Sequence, residues 1–302
     1  MGMHFDLAFE PRYGEAVQLS PLVGRVVAEN PGPFTFYGTG TYIVGRDSVA
    51  VLDPGPLLEA HLAALLAALD GRRLSHILVT HTHLDHSPLA RPLQQATGAP
   101  ILGFGPHGTA GGVEAGADLD FRPDVLLRDG ERVAGVGWTL EALHTPGHAA
   151  NHLCFALAQE KALFCGDQVM GWSTTVVAPP DGDMALYMGS LERLAARPET
   201  PFYPTHGNPI PAPRQHVAAL IQHRLERRAR VLAALDATPR TPQALVPPVY
   251  GPALDPRLTG GAALSLLAHL MELRDEGLAA ETAAGWTRVR KSPRPGNGER
   301  VG

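Results

Sequence analysis

The sequence predicts an α/β domain followed by a smaller helical domain, and three observations indicate this. In the first two thirds of the chain, short runs of strand-forming residues alternate with segments whose apolar residues recur at helical spacing. Histidine and aspartate residues stand directly after several of those strands. Beyond Pro213 helical patterns dominate. We therefore place one domain at 1–213, a second, helical domain at 214–291 and a disordered tail at 292–302.

Local apolar patterns and turn residues define the elements of the first domain. Its first half is predicted to contain a β-meander over 20–53, helices over 56–71 and 88–98, a buried strand over 76–80 and a Gly- and Asp-rich surface loop over 108–120. Its second half is predicted to contain strands over 138–144, 151–158 and 161–167, a helix over 184–197 and a strand end with a Gly/Pro loop over 202–211.

The second domain has the pattern of a small winged helix. Apolar residues recur at helical spacing over 217–235, a Pro-broken segment follows at 241–256, and a second helix is expected to end at Gly277. Two short strands are expected within 278–291, around an Ala-Ala-Gly turn. Helix, turn, helix and hairpin in this order predict a winged-helix-like module.

Composition excludes several classes of protein. With 44% hydrophobic and 18% charged residues among 302, the chain can bury a core. No run approaches 18 uncharged apolar residues, and the N-terminus lacks an export pattern, so we expect a cytoplasmic protein without a membrane contact. Two cysteines cannot form a disulfide framework. Cys154 and Cys165 flank a turn on paired strands and are expected to be buried thiols rather than a disulfide or metal ligands.

Charge is distributed unevenly along the chain. The net charge of −5 divides into 12 basic and 22 acidic residues over 1–213, and 13 basic and 8 acidic residues over 214–302. The basic part could attract phosphate groups, or it could pack on the first domain without contacting nucleic acid; the sequence leaves both alternatives open. The arginines between 224 and 230 lie on an amphipathic helix, where such a run is usually a solvated face.

The strongest signal for chemistry is the segment THTHLDHS. It places His81, His83, Asp85 and His86 within six residues, directly after a buried strand. Imidazole nitrogens and carboxylate oxygens suit zinc, manganese and iron, and a loop at the end of a strand can direct such side chains at one or two ions. The alternative, a His-rich surface turn, is disfavoured because further candidate ligands follow downstream.

Three more candidates each follow a β-type run and stand beside Gly or Pro: His148, Asp167 and His206. Any one of them alone would be weak evidence for a metal site, since an isolated His before Gly is more often a buried hydrogen-bonded group. Together the seven side chains could hold two divalent ions that share Asp167. The predicted sets are His81, His83 and His148 with Asp167 for one ion, and Asp85, His86 and His206 with Asp167 for the other.

This pattern, HxHxDH followed by His, Asp and His, resembles the metallo-β-lactamase superfamily over residues 15–212. The resemblance implies an αββα sandwich, two mixed sheets with helices outside and a binuclear metal site at one edge. Further segments narrow the resemblance to the lactamase-beta-like endoribonuclease branch and its bacterial relatives over nearly the whole chain. These are NPGPFTFYGTGTYIVG, VLDPG, HTPGH, GDQVMGWSTTVV and the winged-helix-like region.

The resemblance also implies how the residues would act. A hydroxide bridging two metal ions, with zinc expected and manganese or iron as alternatives, would attack the substrate, and Asp85 would bind one ion and orient that hydroxide. Asp53 would support a ligand His, although a turn-forming Asp fits the spacing equally well. Residues 173–175 (Ser173, Thr174 and Thr175) could line the substrate site or only form a turn. His144 and His152 are expected to be structural.

Three functions compete on this basis. The first is a phosphodiesterase or endoribonuclease acting on single-stranded RNA, favoured by the basic C-terminal part and by the resemblance. The alternative is hydrolysis of a small ester, thioester or lactam, favoured by the acidic first domain; a secreted β-lactamase is disfavoured because no export signal is visible. The third is di-iron redox chemistry or a non-enzymatic winged-helix nucleic-acid-binding protein. The substrate is therefore either a small molecule or single-stranded RNA, and no oligomeric state is predicted.

Overall fold

The computed structural model describes residues 3–108 and 116–289. They form two compact units, Met1–Leu225 and Glu226–Gly302. The division falls inside a long helix and later than the boundary that the sequence predicts near Pro213. The predicted disordered tail at 292–302 and part of the predicted loop at 108–120 lie outside the described residues.

Two sheets form the first unit. The seven-stranded sheet has its strands in sequence order: β1 (Val17–Gln18), β2 (Val23–Val27), β3 (Gly40–Gly45), β4 (Ser48–Leu52), β5 (Arg73–Leu78), β6 (Ile101–Gly103) and β7 (Val125–Leu126). The five-stranded sheet has the order β12-β11-β10-β9-β8 and comprises β8 (Arg132–Gly135), β9 (Trp138–His144), β10 (Leu153–Leu157), β11 (Ala162–Gly166) and β12 (Phe202–Pro204). Both sheets mix parallel and antiparallel pairs, as an αββα sandwich requires.

In the described part of this unit four helices begin: α1 (Glu59–Leu69), α2 (Ala90–Thr97), α3 (Met184–Ala195) and α4 (Pro213–Ala234). The first three confirm the predicted helices with shorter bounds. The left-handed residues Asp70 and Gly98 end α1 and α2, a conformation in which the chain leaves the helix axis. Among the described residues no helix combines the length and the apolar character needed to cross a membrane.

Apolar side chains are buried both between the two sheets and on their outer faces. Side chains of both sheets, such as Leu78 and Phe155, fill the space between them. On the outer face of the seven-stranded sheet, Val49 packs with Leu65 of α1 and Leu93 of α2. In the five-stranded sheet, positions that alternate with the inner residues are also buried, so its outer face is covered too. Both cysteines lie on that outer face as buried free thiols, as predicted.

Strand direction determines where the polar loops meet. Strands β4 and β5 are parallel neighbours, and so are β11 and β12. Parallel neighbours end at the same edge of a sheet, so the segments that follow them lie side by side. The His- and Asp-containing segments of the sequence stand directly after β4, β5, β11 and β12.

The second unit has the predicted winged-helix outline. It contains α5 (Pro242–Tyr250), a short 3-10 turn (Pro256–Leu258), α6 (Thr259–Asp275) and the hairpin β13 (Ala279–Thr282) and β14 (Gly285–Arg288). Its core includes Leu245, Leu266, Leu270 and Trp286.

The prediction of a Pro-broken segment at 241–256 was wrong in part, because this segment contains α5. Thr241 caps the helix by accepting a hydrogen bond from the backbone N–H of Ala244. Pro242 stands in the first turn, where no backbone N–H is needed. Burial of Leu245 and Val249 then outweighs the cost of the two prolines further along the helix.

The interpretation of the α4 arginines as a solvated face holds only for Arg230. Arg224 is 3% exposed, donates a hydrogen bond to the carbonyl of Thr175, and lies 5.1 Å over the centroid of the Tyr187 ring. In the second unit, Arg227 lies 3.6 Å over the Tyr250 ring. These arginines therefore contribute to packing.

We expect the Arg224→Met substitution to lower the free energy of unfolding by about 1–3 kcal/mol, because the buried carbonyl of Thr175 would lose its donor. Urea unfolding followed by circular dichroism measures this. Arg230→Met, on the exposed face of the same helix, is the matched control and should change stability by less than about 0.5 kcal/mol. Equal stability of the two variants would contradict the assigned role of Arg224.

Candidate metal centre

The loops that follow four strands bring the seven predicted ligands to one edge of the sandwich. The THTHLDHS segment follows β5, Asp167 follows β11, and His206 follows β12 by one residue. His148 lies in the connection from β9 to β10, whose start is at the same edge because β10 runs antiparallel to β11. Each ligand position is thus fixed by a strand end of the first unit.

Glycines precede two of these ligands for a steric reason. Gly147, before His148, has a φ of +132°, and a Cβ there would lie 2.3 Å from the Tyr187 backbone. Gly166, before Asp167, has a φ of +51°, and a Cβ there would lie 2.5 Å from Nε2 of His152. A side chain at either position would displace the neighbouring ligand.

The ligands form two groups, and the first contains only imidazoles. Nε2 of His81 lies 2.9 Å from Nδ1 of His83, and Nε2 of His148 lies 3.2 Å from the same Nδ1. His81 and His148 are buried, and His83 is half-buried. Three ring nitrogens that converge in this way can bind one ion.

The second group contains two carboxylates and two imidazoles. Nε2 of His206 lies 3.1 Å from Oδ2 of Asp85 and 3.5 Å from Oδ2 of Asp167. Nε2 of His86 lies 3.3 Å from Asp85 Oδ2 and 3.6 Å from Asp167 Oδ1. Asp167 Oδ2 also lies 3.8 Å from Nε2 of His148, which belongs to the first group. The Asp167 carboxylate therefore lies between the two groups.

Several polar atoms of this centre are buried without a hydrogen bond. Nε2 of His86, Nε2 of His206 and Oδ1 of Asp167 are shielded from solvent and make no well-directed hydrogen bond among the described residues. Buried polar atoms are otherwise almost always paired. Nitrogen and carboxylate ligands facing one another around a common point fit divalent cations, so the donor set is suited to metal ions.

Electrostatics within the second group couple the carboxylates to the imidazoles. Burial alone would raise the pKa of Asp167, but the imidazoles of His206 and His86 outweigh it and hold that pKa well below its ordinary value. Burial would lower the pKa of His206, whereas Asp167 and Asp85 raise it overall. The carboxylates are thus held as anions that a cation can bind.

Backbone carbonyls orient two of the imidazoles. Nδ1 of His206 lies 3.0 Å from the carbonyl oxygen of Gly38, and Nδ1 of His148 lies 2.7 Å from that of Val176. A carbonyl can only accept, so each Nδ1 carries a proton, which leaves Nε2 as the ring nitrogen that can bind a metal ion through its lone pair.

Asp53 orients the third imidazole and ties several strand ends together. Its Oδ2 lies 2.9 Å from Nδ1 of His86, and also accepts hydrogen bonds from the hydroxyls of Thr80 (2.8 Å) and Thr205 (3.2 Å). Its Oδ1 accepts from the backbone N–H of Thr80 at 2.7 Å. Asp53 is 2% exposed and has a left-handed backbone, φ 49°. The sequence alone does not decide whether Asp53 forms a turn or supports a ligand histidine. In the structure its carboxylate contacts a candidate ligand, His86.

The predicted substrate-lining residues separate into two kinds. Ser173 and Thr174 are half-buried and stay candidates for contact with a substrate. Thr175 is 1% exposed, and its hydroxyl donates to the carbonyl of Asp167 at 2.7 Å. The suggestion that Thr175 lines the substrate site is therefore corrected: its short side chain is used to hold the loop after β11. His152 supports the same loop by accepting from the backbone N–H of Asp167 at 3.3 Å.

Sequence reasoning missed a buried polar cluster beside the first group. The hydroxyl of Thr82 accepts from Nδ2 of Asn151 at 2.8 Å and lies 2.9 Å from Nδ1 of His107. The His107 ring lies 6.5 Å from that of His83. The sequence held one signal of such supporting contacts, because three of the candidate ligand histidines directly follow a threonine. In the structure each of these threonines hydrogen-bonds to a buried partner: Thr80, Thr82 and Thr205.

Comparisons with known families agree with this geometry. The model of the metallo-β-lactamase superfamily matches residues 35–206. The model of the β-lactamase associated winged helix domain matches residues 241–286. A solved structure of a metallo-β-lactamase family protein from Thermus thermophilus superimposes with a TM-score of 0.76 at 25% identity, covering 90% of this chain and all of that one.

Fungal relatives are similar over most of the chain. An atrochrysone carboxyl ACP thioesterase of Paecilomyces divaricatus is 35% identical over 75% of this chain and 68% of its own length. A lactamase-like protein of Penicillium aethiopicum is 35% identical over 77% of this chain and 72% of its own. These names do not single out the endoribonuclease branch to which the sequence was compared. With the site geometry and the family model, they show that the chain belongs to the metallo-β-lactamase superfamily.

Proposed function

We propose that this protein is a binuclear metal-dependent hydrolase of thioesters. The observation that carries the proposal is the convergence of seven ligand side chains into two groups with the Asp167 carboxylate between them. His81, His83 and His148 would hold one ion, Asp85, His86 and His206 the other, and Asp167 would contact both. Zinc suits this set of ligands. Two divalent ions would activate a water molecule at neutral pH and polarise the carbonyl group of the substrate.

Asp85 is the carboxylate placed to act on the reacting groups. Its side chain is 25% exposed, whereas those of His86 and His206 are fully buried. It is therefore the member of the second group that water and substrate can reach. We propose that Asp85 orients the attacking water, whose O–H group would donate a hydrogen bond to the Asp85 carboxylate.

Thioesters are favoured over RNA by the relatives and by the charges of the chain. Relatives at 30–35% identity are named as thioesterases of acyl carrier protein substrates. The first 213 residues carry 22 acidic and 12 basic residues, and this excess of negative charge disfavours binding of a polyanion such as RNA. Hydrolysis of a small thioester needs no such attraction.

The arginines of the second unit also offer little to a phosphate backbone. Of the seven described there, five contact an acidic or aromatic side chain of the same unit. Arg228, for example, pairs with Glu272 and Glu276. A paired arginine has to leave its partner before it can neutralise a phosphate, so single-stranded RNA remains the less supported substrate.

The Asp167→Ala variant should lose metal from both positions, because its carboxylate contacts both groups. We expect elemental analysis to find well under one ion per chain, against about two in the parent protein. The rate of thioester hydrolysis should fall by more than about a hundredfold. A hundredfold is the upper end of the loss caused by removing a residue that only supports a metal ligand. Asp47→Ala, in the exposed turn between β3 and β4 at the far end of these strands, is the control. About two ions retained by Asp167→Ala would refute the ligand assignment.

Asp53→Asn should weaken metal binding without removing a ligand. An amide nitrogen in place of one carboxylate oxygen cannot accept hydrogen bonds from His86, Thr80 and Thr205, so we expect metal affinity to fall roughly 10- to 100-fold. Competition with a chromogenic chelator measures this affinity. Asp70→Asn is a matched control, since Asp70 has a similar left-handed backbone (φ 48°) but is exposed at the end of α1. Similar metal affinities in the two variants would contradict a supporting role of Asp53 in the metal centre.

A substrate panel tests the reaction itself. We expect an acyl thioester of N-acetylcysteamine to be hydrolysed faster than a simple ester, a chromogenic lactam, a bis-aryl phosphodiester or single-stranded RNA, each assayed with zinc and with manganese. Thiol release can be followed directly, since both cysteines of the protein are buried and burial raises the pKa of Cys154 to about 12.

The inactive Asp167→Ala variant controls for contaminating hydrolases in that panel. Activity on RNA or on the phosphodiester without activity on any thioester would overturn the proposed substrate while leaving the metal centre intact. Activity that survives in Asp167→Ala would show that the hydrolysis does not come from this centre.

A further inference from the structure

A cavity lies beside the candidate metal centre, on the side of α2. Its volume is about 440 Å³, within the range of about 300–1,000 Å³ that is usual for small-molecule sites. Two of its lining residues belong to the THTHLDHS segment: Leu84, between His83 and Asp85, and Ser87, directly after His86. The cavity therefore adjoins the centre. The sulfur of a thioester is bonded to the reacting carbonyl carbon, so a thiol chain that starts at the centre can extend into this cavity.

Apolar side chains form much of the lining of the cavity. Ile101 and Phe121 are buried members of the core that also line it. Leu57 and Leu84, by contrast, are 69% and 51% exposed, and both line the same cavity. An exposed leucine alone needs no explanation, but two that line one cavity offer apolar surface that a ligand can cover.

The segment that leads into β7 forms part of one wall and is fixed to the THTHLDHS segment. The backbone N–H of Leu84 donates to the carbonyl of Gly116, and the backbone N–H of Asp118 donates to the carbonyl of Thr82, both at 2.8 Å. The hydroxyl of Ser87 donates to Oδ2 of Asp118 at 2.5 Å. The cavity is thus preformed, which avoids the entropic cost of ordering a loop when a ligand binds.

Hydrogen-bond acceptors and donors stand among the apolar residues of the cavity. The carboxylates of Asp118 and Asp120 line it and can accept hydrogen bonds. Arg122 lines it as well, and its Nη1 donates to two backbone carbonyls of its own segment at 2.8 and 2.7 Å. A guanidinium has five N–H groups, so others can reach a carbonyl oxygen of a ligand. A plain hydrocarbon chain would cover these polar groups without pairing them, which is costly, whereas a chain that contains amides can pair with both kinds.

We propose that this cavity binds the thiol part of the substrate and selects thiols of the pantetheine class. Pantetheine is a chain of methylene groups and amides that ends in a hydroxyl and carries a dimethyl-substituted carbon. Its apolar parts would cover Leu57 and Leu84, and its amides would pair with Asp120 and Arg122. This inference rests on the proposed thioester hydrolysis and adds a class of leaving group to it. In that reaction the oxygen of water replaces sulfur on the acyl carbon, and the thiol leaves with a proton from the water.

The test compares thioesters whose thiols are equally reactive but differ in length. The acetyl thioesters of pantetheine and of N-acetylcysteamine both release a thiol of an acylated cysteamine, so the ratio of their kcat/KM values reports binding of the rest of the pantetheine chain. Equilibrium binding is measured by calorimetry with S-ethyl pantetheine, a thioether that cannot be hydrolysed. The variants are Leu57→Ser, the conservative exchange Leu57→Met, and the control Leu66→Ser, which changes a 37% exposed leucine of α1 that does not line the cavity.

We expect the parent protein to prefer the pantetheine thioester and to bind S-ethyl pantetheine. Leu57→Ser should bind this thioether about tenfold more weakly, because the ligand would no longer cover the apolar side chain of Leu57. Its ratio of kcat/KM for the pantetheine over the N-acetylcysteamine thioester should fall by a similar factor. Leu57→Met should keep most of the binding and of the preference, and Leu66→Ser should match the parent protein.

The two measurements separate the role of the cavity from the reaction. If the parent protein does not bind the thioether, or if Leu57→Ser binds it as tightly as the parent, the proposed role of the cavity is refuted. If no thioester is hydrolysed but binding depends on Leu57, the cavity keeps its role and the proposed reaction fails. If the parent hydrolyses both thioesters with equal kcat/KM, the reaction stands and selection of the thiol by the cavity is refuted.

Discussion

The buried carboxylate of Asp53 is the interaction on which the site depends most. Removing a carboxylate from water is costly unless its oxygens are well paired, and this one has hydrogen-bonding partners on two other segments. Two of those partners, Thr80 and Thr205, immediately precede the candidate metal ligands His81 and His206. One side chain thereby sets the relative positions of the loops after β4, β5 and β12, and it orients the His86 ring as well.

Much of the site could be predicted from the sequence because the chemistry is local. His81, His83, Asp85 and His86 lie within six residues after a buried strand, and no common packing role explains so many ligand side chains in one turn. The remaining ligands each follow a short apolar strand, and strand ends meet at a sheet edge. Regular apolar periodicity likewise predicted α1, α2 and α3, with errors confined to their ends.

Other features could not be predicted because they depend on contacts between residues far apart in the chain. Thr175 lies among hydroxyl residues that suit a substrate site, yet burial turns its hydroxyl to the Asp167 backbone. Arg224 has the sequence context of a solvated helix face, yet the helix packs it against Tyr187. His107 and Asn151 meet Thr82 only once the sheets are assembled. Local patterns carry no information about such long-range partners.

In the proposed centre, two metal ions would lie on either side of the Asp167 carboxylate. Buried imidazole nitrogens and a carboxylate oxygen without hydrogen bonds face one another there, an arrangement that a divalent cation would satisfy. Anomalous X-ray diffraction at the zinc absorption edge, from crystals grown with zinc, tests this directly. We expect two peaks about 3.5–4 Å apart, one beside His81, His83 and His148 and one beside Asp85, His86 and His206. A single peak, or peaks that do not contact Asp167, would contradict it.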